Sequence, residues 1–293
     1  MDNIDRFKIF VDTVAIAAKG KYINSNGAIV TLKKNNENGL SIDDCELYNE
    51  DLTSRISFST IPRFSKCEIR VENNDTLLVA KELIDNLFNP AVLNMASFIR
   101  PGGGVLKGSS AQEENLFRRT NLSESLFRFQ KGYAQQYNLP VSAKQYPLDL
   151  RYGGIYSPAI SVFRGTEKDG YPLLNTPFMV DVISVAAIKN PILINDGKLS
   201  ERDREITRNK IRTILNIAIY WGNDSLVLGA LGCGAYGTPP YEMASLFKEV
   251  LNEDKYQNRF RTIVFAIIDD DNAHRKHNPN GNFIPFKEVF ESV

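Results

Sequence analysis

The chain has few of the residues that build covalent or metal frameworks: its 293 residues include three cysteines and two histidines. Cys45, Cys67 and Cys233 are odd in number, widely spaced and form no CxxC pair, so neither a disulfide framework nor a cysteine zinc site is implied. His274 and His277 stand in an Asn- and charge-rich stretch that reads as a solvated loop in preference to a metal pair. No metal and no cofactor is expected. Net charge is missing as well. Lys+Arg and Asp+Glu are each 35 and the pI is about 6.8, which gives no overall basic footprint for nucleic acid. No run approaches the roughly 18 apolar residues of a membrane span, and the opening MDNIDRFKIF carries acids where a signal peptide has an apolar core. The expectation is a reduced, soluble, cytoplasmic protein without a membrane partner. Its 43% hydrophobic and 24% charged residues are those of an ordinary folded domain.

Pattern, in contrast, is plentiful. Ile4 to Lys19 has apolar residues at helical spacing and ends in Lys19-Gly20, a C-cap signal. Lys21–Ile23 and Ala28–Leu32 read as short strands about the turn Asn24-Ser25-Asn26-Gly27. These set residues 1–65 apart as an N-terminal helix-plus-hairpin extension. In residues 66–293 strands and helices alternate. Strands are expected at Cys67–Val71, Val92–Met95, Tyr152–Pro158, Phe178–Ala186, Ser225–Leu231 and Thr262–Ile268. Helices are expected at Thr76–Leu87, from near Ala111, at Glu201–Trp221 and at Met243–Asn252. Wholly apolar strands separated by helices argue for a parallel or mixed sheet with helices on both faces, a three-layer α/β/α arrangement. In such sheets ligands bind outside the carboxyl ends of the strands.

Two glycine-rich stretches stand at such ends. The first runs Asn94-Met95-Ala96-Ser97, then Pro101-Gly102-Gly103-Gly104, then Gln112-Glu113-Glu114. Three glycines remove every Cβ and let backbone N–H groups approach an anion, with a helix N-terminus nearby. Taken alone, the triplet reads equally as a surface turn, and the two acids as first-turn enrichment favoured by the helix dipole. The second stretch is Gly229-Ala230-Leu231-Gly232-Cys233-Gly234-Ala235-Tyr236-Gly237. It contains a literal GxGxxG, but Pro239-Pro240 breaks the chain before the next helix, and Asp269 lies too far along to read a ribose. A phosphate cradle fits this stretch, whereas a dinucleotide-binding oxidoreductase does not.

Together these motifs resemble poly(ADP-ribose) glycohydrolases: a glycine triplet, a seven-residue spacer and Gln112-Glu113-Glu114. The bacterial branch of that family is similar also in Leu93–Ser97 before the triplet, in Tyr156-Ser157-Pro158 with Val162-Phe163-Arg164, in Gly229–Pro240, and in the lead-in Thr13–Ile16 with Gly20-Lys21-Tyr22. The resemblance spans almost the whole chain. It implies a macrodomain-like mixed sheet and a catalytic domain over 66–293, with ADP-ribose across the strand ends and its diphosphate between the two glycine loops. Gly102, Gly103, Gly104 and Val105 would form one wall, and Gly232, Cys233, Gly234, Ala235 and Tyr236 the other. Tyr236 stands where the family usually places Phe against the distal ribose.

The resemblance also implies roles for the polar residues. Glu114 would be the general acid and base of ribose–ribose bond hydrolysis, with Glu113 holding ribose hydroxyls and Gln112 supporting the loop. Asn94 would contact the distal ribose or orient the acid. Asp75 would bind the adenine amine, although a helix N-cap is an equal reading of that residue. Phe117-Arg118-Arg119 after the acids adds positive charge beside the site, or forms an exposed helix face. The expected partner is ADP-ribose or its polymer on modified proteins or nucleic acid. Alternatives are a non-catalytic ADP-ribose-binding macrodomain, which does not need both acids, and a hydrolase of single ADP-ribosyl adducts.

Overall fold

The computed structural model describes all residues except 59, 60, 195, 196, 270–272, 292 and 293. Residues 1–65 contribute helix α1 (Asn3–Lys19), strands β1 (Lys21–Ile23) and β2 (Ile29–Thr31), and the short β3 (Glu46–Tyr48). Next come β4 (Glu68–Glu72), α2 (Thr76–Asp85), β5 (Pro90–Met95), α3 (Gln112–Arg119), α4 (Leu122–Leu126) and α5 (Lys131–Gln136). The last part carries β6 (Gly154–Arg164), β7 (Leu173–Val185), α6 (Glu201–Tyr220), β8 (Ser225–Leu228), α7 (Pro240–Leu251), β9 (Thr262–Ala266) and α8 (Phe283–Glu291). The fold is mixed α/β, as the alternation of strands and helices requires.

Two compact units share the chain. The first gathers Met1–Leu47, Ala96–Leu148 and Ile155–Ser184; the second gathers Tyr48–Met95, Asp149–Gly154 and Val185–Val293.

In the first unit, α1 begins at Asp2, whose side chain accepts the Asp5 N–H, and stops at Gly20 in the left-handed conformation. Its inner residues Phe10, Thr13, Ile16 and Ala17 are buried. Phe10 meets Phe117 of α3 and Phe127, with ring centroids 6.3 and 6.4 Å apart. β1 and β2 pair antiparallel, Tyr22 opposite Val30, and Tyr22 packs on Phe163 of β6. All residues of β6 are buried. Only residues 165–172 separate β6 from β7, too few for a parallel crossover, so the two run antiparallel. The Gly165 N–H to Pro172 carbonyl bond, 2.8 Å, closes that connection.

The second unit is built on a parallel ladder in the order β5-β8-β9-β4. Its inner strands β8 and β9 are buried at every position, which is why they read as unbroken apolar runs. Phe247 of α7, Phe265 of β9 and Phe286 and Phe290 of α8 form one aromatic cluster. α2 turns Leu77, Val79, Ala80 and Leu83 inward. Because these strands are parallel, Asp75, Asn94, Gly229–Tyr236 and Asp269 all follow or end strands at the carboxyl end of the ladder. Among the described residues no helix is long and apolar enough to cross a membrane.

Candidate active site

The two carboxylates of Gln112-Glu113-Glu114 open α3 and are buried, Glu113 at 3% and Glu114 at 6% exposure. Ala111 precedes them in extended conformation without a side-chain cap, so first-turn donors are left to other partners. The carboxylates turn back onto the glycine triplet. Glu113 Oε1 accepts the Gly102 N–H at 3.0 Å, and its Oε2 accepts the Ser97 N–H at 2.8 Å. Glu114 Oε1 accepts the Gly104 N–H at 2.7 Å. Glu114 Oε2 is buried and has no hydrogen-bond partner. A buried carboxylate oxygen in that condition is costly unless something else meets it.

The triplet must be glycine for a steric reason as well as a conformational one. Gly103 has φ +53°, and a Cβ there would stand 2.6 Å from Glu114 Oε1 and 2.9 Å from Glu113 Oε2. A Cβ on Gly104 would fall 2.3 Å from Ser109 Oγ. Two of the three triplet amides therefore hold the acids themselves. Val105 is buried and donates its N–H to the Gly102 carbonyl at 2.9 Å, starting a single turn over Val105–Lys107.

Behind the acids the structure departs from one expectation. Arg118 and Arg119 are buried and do not form an exposed helix face. Arg118 lies one helical turn beyond Glu114 and donates Nη1 to the Ser109 carbonyl at 2.8 Å and Nε to the Tyr171 hydroxyl at 2.8 Å. That hydroxyl donates to Glu167 at 2.9 Å, and burial pushes its pKa up to about 12. Glu167 is paired with Arg6 of α1 at 2.8 Å, and this partner with the Tyr171 hydroxyl holds its carboxyl below the usual range against the desolvation of partial burial. Thr13 of α1 donates to the Arg118 carbonyl at 2.7 Å and accepts from Arg164 Nε at 2.9 Å. The lead-in helix is thus tied to the helix that carries the acids. These contacts join residues 53 and 105 positions apart and leave no local pattern in the sequence.

The second unit holds the remaining candidates. Asn94 is buried one residue before the end of β5. Asp75 N-caps α2, accepting from Leu77 N and Leu78 N at 3.0 and 3.1 Å. In the second glycine loop, Gly232 has φ +76°, and a Cβ would stand 2.6 Å from Ala187. The loop is closed by bonds from Cys233 N to the Ala230 carbonyl, Thr238 N to the Gly232 carbonyl and Asn190 N to the Tyr236 carbonyl. Cys233 is buried, and burial pushes its thiol pKa far up. Tyr236 is half-buried.

The histidine stretch is more than a solvated loop. His274 is exposed, but His277 is half-buried and its Nε2 stands 2.7 Å from the Cys233 carbonyl. Asn278, fully buried, donates Nδ2 to that same carbonyl at 3.1 Å. Neither contact, 44 and 45 residues apart in sequence, left a signal in the chain. Among the described residues no group of His, Cys, Asp and Glu gathers to hold a metal ion.

The family model of the microbial-type PARG catalytic domain matches residues 11–165. The structure is similar to that of poly(ADP-ribose) glycohydrolase from Thermomonospora curvata, at 29% identity over 97% of this chain and 99% of that one, with a TM-score of 0.78. The same Thermomonospora protein bound to the inhibitor ADP-HPD matches at the same identity and coverage, with a TM-score of 0.76. The poly(ADP-ribose) glycohydrolase of Deinococcus radiodurans in complex with ADP-ribose matches at 26% identity over 86% of this chain and 96% of that one, TM-score 0.64. No curated protein sequence matches the chain.

Proposed function

This chain belongs to the family of microbial-type poly(ADP-ribose) glycohydrolase catalytic domains, and from that premise we propose how its own residues perform the hydrolysis. The reaction is cleavage of the ribose–ribose O-glycosidic bond with release of ADP-ribose. The observation that carries the assignment is the asymmetry of Glu114: one oxygen is fixed by the Gly104 amide, and the other is buried and unpartnered. A general acid needs a fixed carboxyl with one oxygen free for the leaving group. Glu114 Oε2 protonates the departing ribose oxygen as the oxocarbenium-like state develops, then takes a proton from the attacking water. Water adds across the bond, one hydroxyl forms on each ribose, and Glu114 ends as it began.

Glu113 is assigned the ribose hydroxyls, from the position that the Ser97 and Gly102 amides give it. Gly102, Gly103 and Gly104 act chiefly through these acids, with Gln112 and Val105 supporting the loop. Gly232, Cys233, Gly234 and Ala235 cradle the diphosphate, and Tyr236 and Asn94 bear on the distal ribose. Asp75, which caps the start of α2, is assigned the adenine amine. The substrate is the polymer on modified proteins or nucleic acid, the fold a macrodomain, and the location the cytoplasm, where three free cysteines stay reduced.

The test is incubation of wild type and Glu114→Gln with labelled poly(ADP-ribose), chromatography of the products, and calorimetry with free ADP-ribose. Release of ADP-ribose by wild type only, with binding by both, is the expected result. Binding without release by wild type would leave a reader or a hydrolase of single ADP-ribosyl adducts, and a fully active Glu114→Gln would overturn the assignment of the acid.

A further inference from the structure

The carbonyl of Cys233 is gripped twice from one side, by His277 Nε2 at 2.7 Å and by Asn278 Nδ2 at 3.1 Å. A carbonyl only accepts, so Nε2 of His277 carries the proton in this contact. The grip is itself braced. Asn278 Nδ2 also donates to Asn282 Oδ1 at 2.9 Å, and its Oδ1 accepts the Arg275 N–H at 2.8 Å. The N–H groups of Asn282 and Phe283 donate to Asp269 Oδ1 at 2.6 and 3.3 Å, which fixes the start of α8 to the end of β9. Gly281, at φ +73°, lies so close to Asp269 that a Cβ would stand 2.2 Å from its Oδ2. An unbroken relay therefore runs from the β9 end to the middle of the second glycine loop.

Peptide planarity gives the relay a consequence. In a trans peptide the C=O of one residue and the N–H of the next point in opposite directions. Holding the Cys233 carbonyl toward His277 and Asn278 aims the Gly234 N–H away from them. This peptide turns about ψ of Cys233 and φ of Gly234, and without the grip the glycine at 234 accepts the reversed φ at little steric cost. An anion cradle made of backbone amides works only while those amides stay aimed at the ligand.

We infer that His277 and Asn278 are positioning residues for diphosphate binding, which set the direction of the Gly234 N–H through the Cys233 carbonyl. This rests on the reading of the second glycine loop as the diphosphate cradle. Neither side chain touches the reacting atoms. They act on affinity for the phosphate-bearing part of the ligand and leave the chemical step to Glu114.

The experiment is calorimetry of wild type, His277→Ala, His277→Phe and His277→Gln with ADP-ribose and, separately, with adenosine, alongside KM and kcat on the polymer. Alanine and phenylalanine remove the donor, phenylalanine keeping the ring volume should the alanine variant fold poorly. Glutamine restores an N–H donor. The expected result is an ADP-ribose Kd and a KM raised about tenfold or more in both donorless variants. Adenosine affinity and kcat should stay within about twofold, and the glutamine variant should recover most of the loss. Unchanged ADP-ribose affinity in the donorless variants would overturn the inference and leave the glycohydrolase reading standing. Equal loss of adenosine and ADP-ribose binding would overturn it also, as general damage to the fold. Failure of wild type to bind ADP-ribose would sink both together.

Discussion

Gly104 donates its backbone N–H to Glu114 Oε1 at 2.7 Å, so the residue proposed as the acid is held by the loop that precedes it and not by another side chain. Glu113 beside it is held by two amides, those of Ser97 and Gly102. The neighbours thus differ in how much of each carboxylate is committed, and the difference can be measured.

Replacing Glu113 by Gln leaves one of its two amide partners facing an NH2 group, an unsatisfied buried donor worth about 1–3 kcal/mol. Glu114→Gln keeps the Gly104 bond through its carbonyl and disturbs a position that already lacks a partner. Urea denaturation is expected to show Glu113→Gln destabilised by about 1–3 kcal/mol, and Glu114→Gln within about 1 kcal/mol of wild type. The opposite order would mean that the two roles are exchanged.

Gly103→Ala is expected to lower kcat about 100-fold, because its Cβ would displace both carboxylates and small misplacements of reacting groups cost that much. Gly132→Ala, where nothing lies within 4 Å of the added carbon, is the control and should be unchanged. Steady-state turnover of the two variants on the same polymer decides the matter.

Lys210 of α6 is 1% exposed, and its Nζ has no hydrogen-bond partner. Desolvation lowers its pKa from 10.5 to about 8, opposed by the Asp149 charge. Between these values the unfolded chain binds a proton that the folded one does not, so stability rises as pH climbs from about 8 to about 10.5. Below that window the charged amine is buried at full cost, of the order of 3 kcal/mol at 1.36 kcal/mol per unit. Lys210→Met should be more stable than wild type at pH 7 and should lack this rise. Denaturation midpoints across the pH range test it, and a wild-type curve flat over the window would refute it.

Burial raises the pKa of all three thiols, that of Cys67 to about 11 and that of Cys233 still further. In a Cys45→Ser, Cys67→Ser background, Cys233 should react with Ellman's reagent only as the chain opens, with the rate following denaturant. Fast native labelling would mean that the second glycine loop opens readily.

The parts legible in the sequence were those where local pattern and final environment coincide. β8 and β9 read as strands because a parallel strand buried on both faces is apolar throughout. β6 reads as a strand only to Pro158 because its second half contains Ser161 and Arg164, polar residues held by distant partners. Ser161 donates its backbone N–H to Asn121 Oδ1, and Arg164 is paired with Asp12 of α1. α8 leaves no helical signal in the sequence because Pro285 breaks its pattern and the amides at its start are met by Asp269, 13 and 14 residues earlier. In the site, the glycines and acids were visible as residue types. The direction of each amide was not, since it depends on partners such as Ser97 and His277 that only the fold supplies.

The threading of the chain through its two units bears on how the protein can be made and altered. Each unit is assembled from three separate stretches, so no single cut yields either one alone. During synthesis the first unit has all its sequence once Ser184 has emerged, whereas Tyr48–Met95 and Asp149–Gly154 must wait for the stretch that begins at Val185. Strands β5 and β4 spend that interval without their ladder partners β8 and β9, as exposed edges open to the wrong neighbours. Truncation from the C-terminus would make that interval permanent, and the stretches left waiting are where aggregation should begin.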